Sequence, residues 1–203
     1  MNPALQVAGL SFRFDSRLIF SDYSLALEPG ITWVRGPNGQ GKTTLLRLMA
    51  GSLTPHAGTI ALGAIDSAAA PLAYRVASFF CGRDLPELPW LTVQEFLDIH
   101  MALYPAAEAA LVNAQLEAFG LRHVLPQMLS TLSLGQHKKV QLVLALALPV
   151  TLLLIDEPFN GLDAAATDYL RAQLNARANA RDTCIVLTSH VEAQVAIART
   201  VYL

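Results

Sequence analysis

A chain of 203 residues is long enough to bury a sizeable core as one domain, with room for two lobes. Its 14 Lys and Arg residues against 16 Asp and Glu residues leave a net charge of −2, which gives no electrostatic basis for binding nucleic acid or anionic lipid. No nucleic-acid partner is therefore expected. A hydrophobic share of 53% beside only 15% charged residues indicates a large core or an apolar surface that a partner covers.

Neither a leader nor a membrane span is predicted. The N-terminus has no basic region followed by an apolar block, so no signal peptide is expected. The longest apolar stretch, residues 140–155, is interrupted by polar residues and a proline, which predicts the end of a helix followed by a buried strand. Cys81 and Cys184 lie far apart in apolar runs, and we expect them to be buried thiols in a reducing compartment.

The first part of the chain has the alternation of apolar and polar residues that is typical of β-strands. Glu28-Pro29-Gly30 predicts a turn, and residues 63–75 carry little signal. A helix is predicted over residues 45–50, and Gly51 suits the left-handed position that ends it. Strands are predicted at residues 10–14, 23–27, 31–34, 58–62 and 76–80.

Residues 84–148 have a helical pattern instead. Thr92 and Glu95 have the spacing of a capping box, which predicts a helix start there. Pro105 is predicted to open the next helix, which runs to Gly120. The rest of the chain returns to α/β order, with a strand at 152–155, a helix at 163–180, a strand at 183–188, a short helix from 191 and a final strand at 201–203.

The segment between the third strand and the first helix matches G-x-x-x-x-G-K-[ST], the pattern of a phosphate-binding loop in its required strand–helix context. Backbone N–H groups and the helix N-terminus would surround a triphosphate. Lys42 would reach the β- and γ-phosphates, and the Thr43 hydroxyl would be a ligand of Mg²⁺. A glycine-rich turn without a ligand is the alternative. The residues expected to bind ATP here are Gly36, Pro37, Asn38, Gly39, Gln40, Gly41, Lys42, Thr43 and Thr44.

The apolar strand at 152–155 ends in two carboxylates, Asp156 and Glu157. A continuous apolar strand fits a parallel sheet buried on both faces, and ligands of such sheets bind at the carboxyl ends of the strands. Asp156 would hold Mg²⁺ beside Thr43, directly or through water. Glu157 would orient and polarise an attacking water near the γ-phosphate. Apolar strands often end in an acid, but this one follows a phosphate-binding loop.

Leu132-Ser133-Leu134-Gly135-Gln136 opens an amphipathic helix. Ser133 can cap that helix, and the free N–H groups of its first turn can bind an anion. The chain would then carry two phosphate-binding helix N-termini, which is more than one nucleotide needs. We therefore expect the second one to serve the ATP of a partner subunit, with an ordinary capped helix as the alternative.

Together these residues resemble the ATP-binding-cassette (ABC) ATPases, the nucleotide-binding subunits of transporters. The family signature LSGGQ reads LSLGQ here, with Leu134 in place of the first glycine. The resemblance implies that Ser133 and Gly135, in the signature that Gln136 completes, contact the γ-phosphate of the opposite subunit's ATP. It also implies that the loop ending at Asp163 communicates across the dimer.

Two further residues gain a role from this resemblance. His190 follows an apolar strand and matches the switch histidine, so that Lys42, Glu157 and His190 form the implied catalytic set. Phe14 lies where the family places an aromatic residue that stacks on adenine, with Phe12 as the competing choice.

The resemblance implies an α/β fold in which a phosphate-loop NTPase (RecA-like) core carries an antiparallel β subdomain and an inserted α-helical subdomain. The single domain would have a core lobe at about 1–82 and 149–203 and a helical lobe at about 83–148. Two cassettes, identical or not, would dimerise around two Mg-ATP molecules. They would power a separate transmembrane permease from the cytoplasmic face of the inner or plasma membrane.

The chain also departs from the family pattern. Residues 79–86, at the junction of the two lobes, contain no glutamine, although the family has one there for Mg²⁺ and for coupling to the membrane partner. The length is that of a minimal cassette, similar to the ATPase subunit of bacterial haem-export systems, and we expect no regulatory domain after it. A soluble mechanical ATPase acting on ribosomes or DNA, and a weakly hydrolysing regulatory cassette, are the alternatives.

Overall fold

The computed structural model describes residues 4–82, 88–190 and 192–203. In these residues the chain forms two β-sheets and six α-helices. The strands are β1 (Leu5–Phe14), β2 (Arg17–Leu27), β3 (Gly30–Arg35), β4 (Ala57–Leu62), β5 (Ile65–Asp66), β6 (Ser78–Cys81), β7 (Leu152–Asp156), β8 (Cys184–Thr188) and β9 (Ile197–Tyr202). The helices are α1 (Lys42–Met49), α2 (Pro71–Val76), α3 (Val93–Leu103), α4 (Ala109–Ala118), α5 (Leu134–Ala147) and α6 (Ala164–Ala180).

One sheet is antiparallel, with the strand order β2-β1-β4-β5. The β1–β2 hairpin is its longest element, and it pairs from Leu5 opposite Leu27 to Phe14 opposite Arg17. Leu5 and Val7 point inward because every second side chain of a strand lies on the same face. A register shift after Val7 changes this phase, so that Leu10, three residues further on, also points inward. The hairpin therefore carries Phe14 and Arg17 at one end of the sheet.

The other sheet is parallel, with the order β6-β7-β8-β3-β9. Strand β7 is buried along its whole length, as its uninterrupted apolar sequence predicts for a sheet covered on both faces. Leu153 and Ile155 face the core formed with α3 to α6, whereas Leu152 and Leu154 face the core formed with α1 and the antiparallel sheet. The carboxyl ends of β3, β7 and β8 consequently meet at one edge.

The fold confirms several local expectations. Thr92 and Glu95 form a complete capping box at the start of α3, and Ser133 with Gln136 forms another at the start of α5. Gly51 follows α1 with φ 67°, the left-handed conformation that glycine adopts without strain. The expected α/β fold class, with a parallel core sheet, an antiparallel sheet and a set of helices, is also found.

Several element boundaries in the first 120 residues were predicted wrongly. The strands expected at 10–14 and 23–27 begin earlier, at Leu5 and Arg17, because the two strands pair along almost their whole length. The strand expected at 76–80 is β6, Ser78–Cys81, because α2 extends to Val76 and buries Tyr74. The helix expected to start at Pro105 starts at Ala109, since Glu108 has an extended backbone at the N-cap and Ala107 N–H closes a turn on Tyr104 O.

The short helix expected from residue 191 is absent from the described residues 192–196. Gln194 has φ 54°, which is incompatible with a right-handed helix. Side chains of α6 bind the segment instead, because Arg171 Nε donates to Ala193 O at 3.1 Å and Ala196 N–H donates to Asn175 Oδ1 at 2.8 Å. The final strand, β9, accordingly starts at Ile197 and not at residue 201.

Four other expectations concern buried thiols, membrane spans, the lobe junction and the lobe boundaries. Cys81 and Cys184 are free, buried thiols, and burial raises the pKa of both, that of Cys184 to about 12. No helix in the described part of the chain is long and apolar enough to cross a membrane. The segment without the family glutamine is residues 79–86. Its residues 83–86 lie outside the described residues. The lobe boundaries stay a prediction.

Candidate nucleotide-binding site

The phosphate-binding loop connects β3 to α1, as its sequence predicts. Gly41 is the N-cap of α1 with φ 96°, so the loop enters the helix through a conformation that side chains disfavour. A Cβ atom at Gly41 would also lie 2.7 Å from Cγ2 of Ile19, so glycine is required for space as well as for backbone geometry. The N-terminus of α1 is therefore open for an anion.

Lys42 is 7% exposed and lies under the loop. Its Nζ donates hydrogen bonds to Gly36 O at 2.7 Å and to Pro37 O at 3.0 Å. These bonds hold the ammonium group against the backbone at the start of the loop. A polyphosphate bound there would meet a fixed cation and a helix N-terminus together.

A hydroxyl–carboxylate chain joins three elements behind the loop. Thr43 Oγ1 donates to Asp156 Oδ2 at 2.7 Å, and Thr188 Oγ1 donates a short hydrogen bond to Asp156 Oδ1. Thr188 sits at the end of β8 and is fully buried. Both oxygens of a buried carboxylate are thus held by side-chain hydroxyls, which fixes Asp156 beside the start of α1.

Glu157 is the buried residue that follows β7. It has φ 49°, a left-handed conformation that is uncommon for a residue with a Cβ atom. Among the described residues its Oε1 is a buried side-chain oxygen with no hydrogen-bond partner. His190 Nε2 lies 3.0 Å from Oε1 without the alignment of a hydrogen bond, and His190 N–H donates to Oε2 at 3.4 Å.

These groups border a cavity of about 440 Å³. Phe14 lies at its edge with 47% of its surface exposed, whereas Phe12 is 6% exposed and packs in the core. The two rings meet edge to face with centroids 4.9 Å apart. The cavity is lined by Phe14, Arg17, Ile19, Asn38, Gly39, Gly41, Lys42, Thr43, Thr44, Asp156, Glu157 and His190.

Several expected site residues lie elsewhere. Gln40 borders a smaller neighbouring cavity, and Gly36 and Pro37 contribute carbonyl groups to Lys42. The signature residues are on α5 outside the main cavity, where Ser133 Oγ accepts from Gln136 N–H at 3.2 Å and Gln136 Oε1 accepts from Ser133 N–H at 2.9 Å. One chain alone thus does not bring its signature to its own phosphate-binding loop.

Asp163 is the N-cap of α6 and closes the loop after Glu157. Its Oδ1 accepts from Ala166 N–H at 2.8 Å, and its Oδ2 pairs with Lys139 Nζ at 2.6 Å. The hydrogen bond from Lys139, followed by that from Ala166, holds the pKa of the Asp163 carboxyl below its usual range. The loop is therefore fastened at this end to α5 as well as to α6.

Sequence reasoning missed three residues that shape the site. Arg17 Nη2 donates to Gly39 O at 2.8 Å, which ties the β1–β2 hairpin to the phosphate-binding loop. Thr188 belongs to an apolar strand, and its role depends on contacts with β7. Trp33 is buried at the end of β3, and its Nε1–H donates to Ser189 O at 3.4 Å, next to His190. A threonine closing an apolar strand is the one signal that could have been noticed.

The described donor atoms fit a magnesium ion that a nucleotide brings with it. Thr43 and Asp156 place oxygen atoms together beside the loop, and Mg²⁺ prefers oxygen ligands. The described residues contain no group of three or more His, Cys, Asp or Glu side chains that could hold a metal. Because Mg²⁺ is usually held by one or two protein groups and by phosphate oxygens, this sparse set is what such an ion needs.

A phosphate-binding loop between a parallel strand and a helix, with paired carboxylates at the end of another strand of the same sheet, defines a phosphate-loop NTPase. The family model described as "ABC transporter" matches residues 20–160. The chain belongs to the ABC transporter family, and it is an ATP-binding subunit and an ATPase.

Curated relatives and a solved structure agree with this assignment. The cytochrome c biogenesis ATP-binding export protein CcmA of Pseudomonas putida is 39% identical over 192 residues, which cover 94% of this chain and 91% of that protein. A zinc import ATP-binding protein of Hahella chejuensis is 33% identical over 90% of this chain and 70% of its own length. A solved ATP-binding subunit of an ABC transporter superposes with a TM-score of 0.85 at 28% identity, covering 93% of this chain and 80% of that one. The transporter ATPase interpretation is therefore supported over the mechanical and regulatory alternatives.

Proposed function

We propose that the chain hydrolyses Mg-ATP as a head-to-tail dimer, with each of two sites built from both subunits. In each site, Lys42 binds the β- and γ-phosphates together with the N–H groups of the loop and α1. Phe14 stacks on the adenine base. The loop residues from Gly36 to Thr44 surround the phosphates.

Thr43 and Asp156 would hold the Mg²⁺ that accompanies ATP. When bound, such an ion neutralises charge that develops on the transferred phosphoryl group. Glu157 orients the attacking water and accepts its proton. His190, next to Glu157, contacts the γ-phosphate. Catalysis then consists mainly of positioning and charge stabilisation.

The observation that carries this proposal is the unbonded oxygen of Glu157. Among the described residues Oε1 accepts no hydrogen bond and has only the partly exposed His190 ring nitrogen nearby, at 3.0 Å, and such a buried oxygen in a native site calls for a ligand or water. Glu157 borders the same cavity as Lys42 and Thr43, so a water between it and a γ-phosphate could donate to Oε1. The strained backbone of Glu157 is consistent with a functional constraint.

The second half of each site would come from the partner subunit. Ser133, Gly135 and Gln136 begin α5, whose N-terminal N–H groups favour an anion. They lie outside the chain's own cavity, so they can serve a phosphate only in trans. Asp163, at the end of the loop that follows Glu157, would carry the state of one site to the other.

We further propose that the dimer drives a transmembrane permease and associates peripherally with it at the cytoplasmic face of the membrane. The names of the relatives as export and import proteins support a permease partner. Exposed apolar residues, among them Leu72, Trp90 and Leu103, offer surface that such a partner could cover.

The test compares wild type with Glu157→Gln in the presence of Mg-ATP, by light scattering and by phosphate release. A dimer that forms with ATP and is trapped by Glu157→Gln, with turnover lost, is the expected result. Glu117→Gln is the matched control because Glu117 is an exposed partner of Arg122 on the helical region. Turnover by Glu157→Gln at the wild-type rate would refute the role of Glu157, and a protein that stays monomeric with ATP would refute the homodimer.

We propose that the transporter is an export system of the cytochrome c biogenesis type. The relative of that name matches over nearly its full length, whereas the zinc import relative extends well beyond the matched region. Deletion of the gene should lower the content of assembled cytochrome c and leave zinc uptake unchanged. The reverse result would favour the import function.

A further inference from the structure

A buried lysine beside the two carboxylates has no role in the chemistry proposed above. Lys138 is 9% exposed and lies in the second turn of α5. Its Nζ donates a hydrogen bond to the backbone oxygen of Asp156 at 2.8 Å. Taking an ammonium group out of water is costly unless the group is paired. The burial of a lysine at this position therefore needs a reason.

The bond completes a clamp on one peptide unit, the one between Asp156 and Glu157. The carbonyl of that unit accepts from Lys138 at 2.8 Å, and its N–H group donates to Thr188 Oγ1 at 3.0 Å. Since a peptide unit is planar, holding both of its polar groups fixes its orientation. The clamp therefore sets the direction in which Glu157 leaves β7 with its left-handed backbone.

Lys138 also belongs to a face of α5 that contacts the loop after β7. Gly135, Lys138 and Lys139 are spaced i, i+3 and i+4, so they share one side of the helix. A Cβ atom at Gly135 would lie 2.8 Å from Gly161 O, and Lys139 pairs with Asp163 at the far end of the loop. Of the three, Lys138 is the residue with a hydrogen bond to the carboxylate pair's own backbone.

We propose that Lys138 is a positioning residue for ATP hydrolysis: it holds the Asp156–Glu157 peptide so that the Glu157 carboxylate meets the attacking water. This inference rests on the proposed role of Glu157. The same helix begins at Ser133, which would contact the partner subunit's ATP. One rigid element would thus contact the ATP of one site with its first turn and, with its second turn, the peptide that carries the catalytic carboxylate of the other site.

The main test is Lys138→Met, which keeps the length of the side chain and removes the donor. Arg122→Met is the matched control, since it also removes one cation from the helical region but affects an exposed pair with Glu117. Phosphate release is measured over a range of Mg-ATP concentrations, together with thermal unfolding. We expect kcat of Lys138→Met to fall about tenfold or more while KM stays within about twofold, because misorientation affects the transition state and not ground-state binding.

Lys138→Arg keeps a charged donor and should recover kcat to within about threefold of wild type, which a purely space-filling role would not predict. The inference is overturned if kcat of Lys138→Met stays within about twofold of wild type, or if KM rises in proportion to the loss of kcat. Glu157→Gln is assayed in parallel. If it keeps turnover, the proposed function fails, whereas an inactive Glu157→Gln beside an active Lys138→Met removes only the positioning role.

A second measurement covers the case in which Lys138→Met does not fold. The chain has three lysines, Lys42, Lys138 and Lys139, so their ammonium signals can be resolved by nitrogen-15 NMR of the wild-type protein. Lys138 is expected to show scalar coupling across its hydrogen bond to the carbonyl carbon of Asp156. An ammonium group without that coupling in the folded wild type would overturn the inference.

Discussion

Phe12 and Phe14 are two residues apart in β1, yet their surroundings differ. Phe12 packs in the core, whereas Phe14 stands at the mouth of the nucleotide cavity with about half of its surface exposed. The family resemblance favoured Phe14 as the adenine-stacking residue, but stacking chemistry alone could not exclude Phe12, because both are flat apolar rings in the same strand. Phe14 is the last residue of β1, and its ring is exposed at the cavity where the strand ends.

The pair gives a direct test at the residue scale. Phe14→Ala should weaken ATP binding about tenfold or more with little change in stability, since base–aromatic stacking contributes about 1–3 kcal/mol. Phe12→Ala should instead lower the free energy of unfolding by about 3–5 kcal/mol, as removal of a buried ring does. Titration with a fluorescent ATP analogue and chemical denaturation measure the two effects. Tight ATP binding by Phe14→Ala would exclude it as the stacking residue.

The stability of the protein should depend on pH through Asp163, because the hydrogen bond from Lys139 and that from Ala166 N–H lower the pKa of its carboxyl. A carboxyl whose folded pKa lies below its unfolded value stabilises the protein above the unfolded pKa, near 4, and loses that contribution as pH falls through the folded pKa. The unfolding midpoints of wild type and Asp163→Asn should therefore differ at pH 6 and converge towards pH 2.5. A gap that stays constant over this range would contradict the pairing.

At the scale of single elements, the first turn of α5 has two roles. Gly135 is expected to meet the partner subunit's phosphate, and within its own chain it also packs against Gly161 O so closely that a Cβ atom would lie 2.8 Å away. The same residue therefore serves the site and the loop that follows Glu157. Leu134, next to it, replaces a family glycine and is 77% exposed, which the local structure tolerates.

Gly135→Ala should lower kcat by about tenfold, because the new Cβ atom displaces the backbone of the loop that carries Glu157. Gly63→Ala provides the contrast. Gly63 has φ 57° and no neighbour near a Cβ atom, so this change should cost about 1 kcal/mol of stability and leave kcat as it is. Phosphate release and thermal unfolding are measured for both variants. If Gly135→Ala keeps the wild-type kcat, the close approach to Gly161 is not part of the catalytic arrangement.

The elements also show which features of the sequence predict structure well. The capping box at Thr92, the helix cap at Ser133 and the phosphate-binding loop were predicted because each is determined by residues close in sequence. The start of α4 was misplaced because Pro105 favours a helix start and a turn equally, and the turn at Tyr104 was not visible. Lys138 was not predicted because a lysine in an amphipathic helix is normally exposed, and its acceptor lies on another element.

At the scale of the whole molecule, the separation of the signature from the cavity in one chain implies that each site needs two subunits. In the proposed homodimer, twofold symmetry would make each of the two sites combine Lys42 of one chain with Ser133 of the other. This arrangement follows from a sequence argument about two helix N-termini, and the fold adds that α5 and the cavity are distinct parts of the surface.

Subunit complementation tests this arrangement. Lys42→Met and Ser133→Arg should each be inactive as homodimers, since both sites lose one half. Equal mixing should restore about a quarter of the wild-type turnover if subunits exchange freely, because half of the dimers are mixed and each of these has one intact site. Phosphate release before and after mixing measures the recovery. No recovery, with exchange verified by light scattering of tagged chains, would contradict shared sites.

The buried indole of Trp33 has a practical consequence for following the enzyme in solution. It bonds to Ser189 O beside His190, and the other tryptophan, Trp90, is 63% exposed. The two residues should therefore emit at different wavelengths, with the shorter-wavelength component coming from Trp33. Any nucleotide-driven movement of the His190 segment would change that component, so the chain carries an intrinsic optical reporter for stopped-flow measurement of its own ATP cycle.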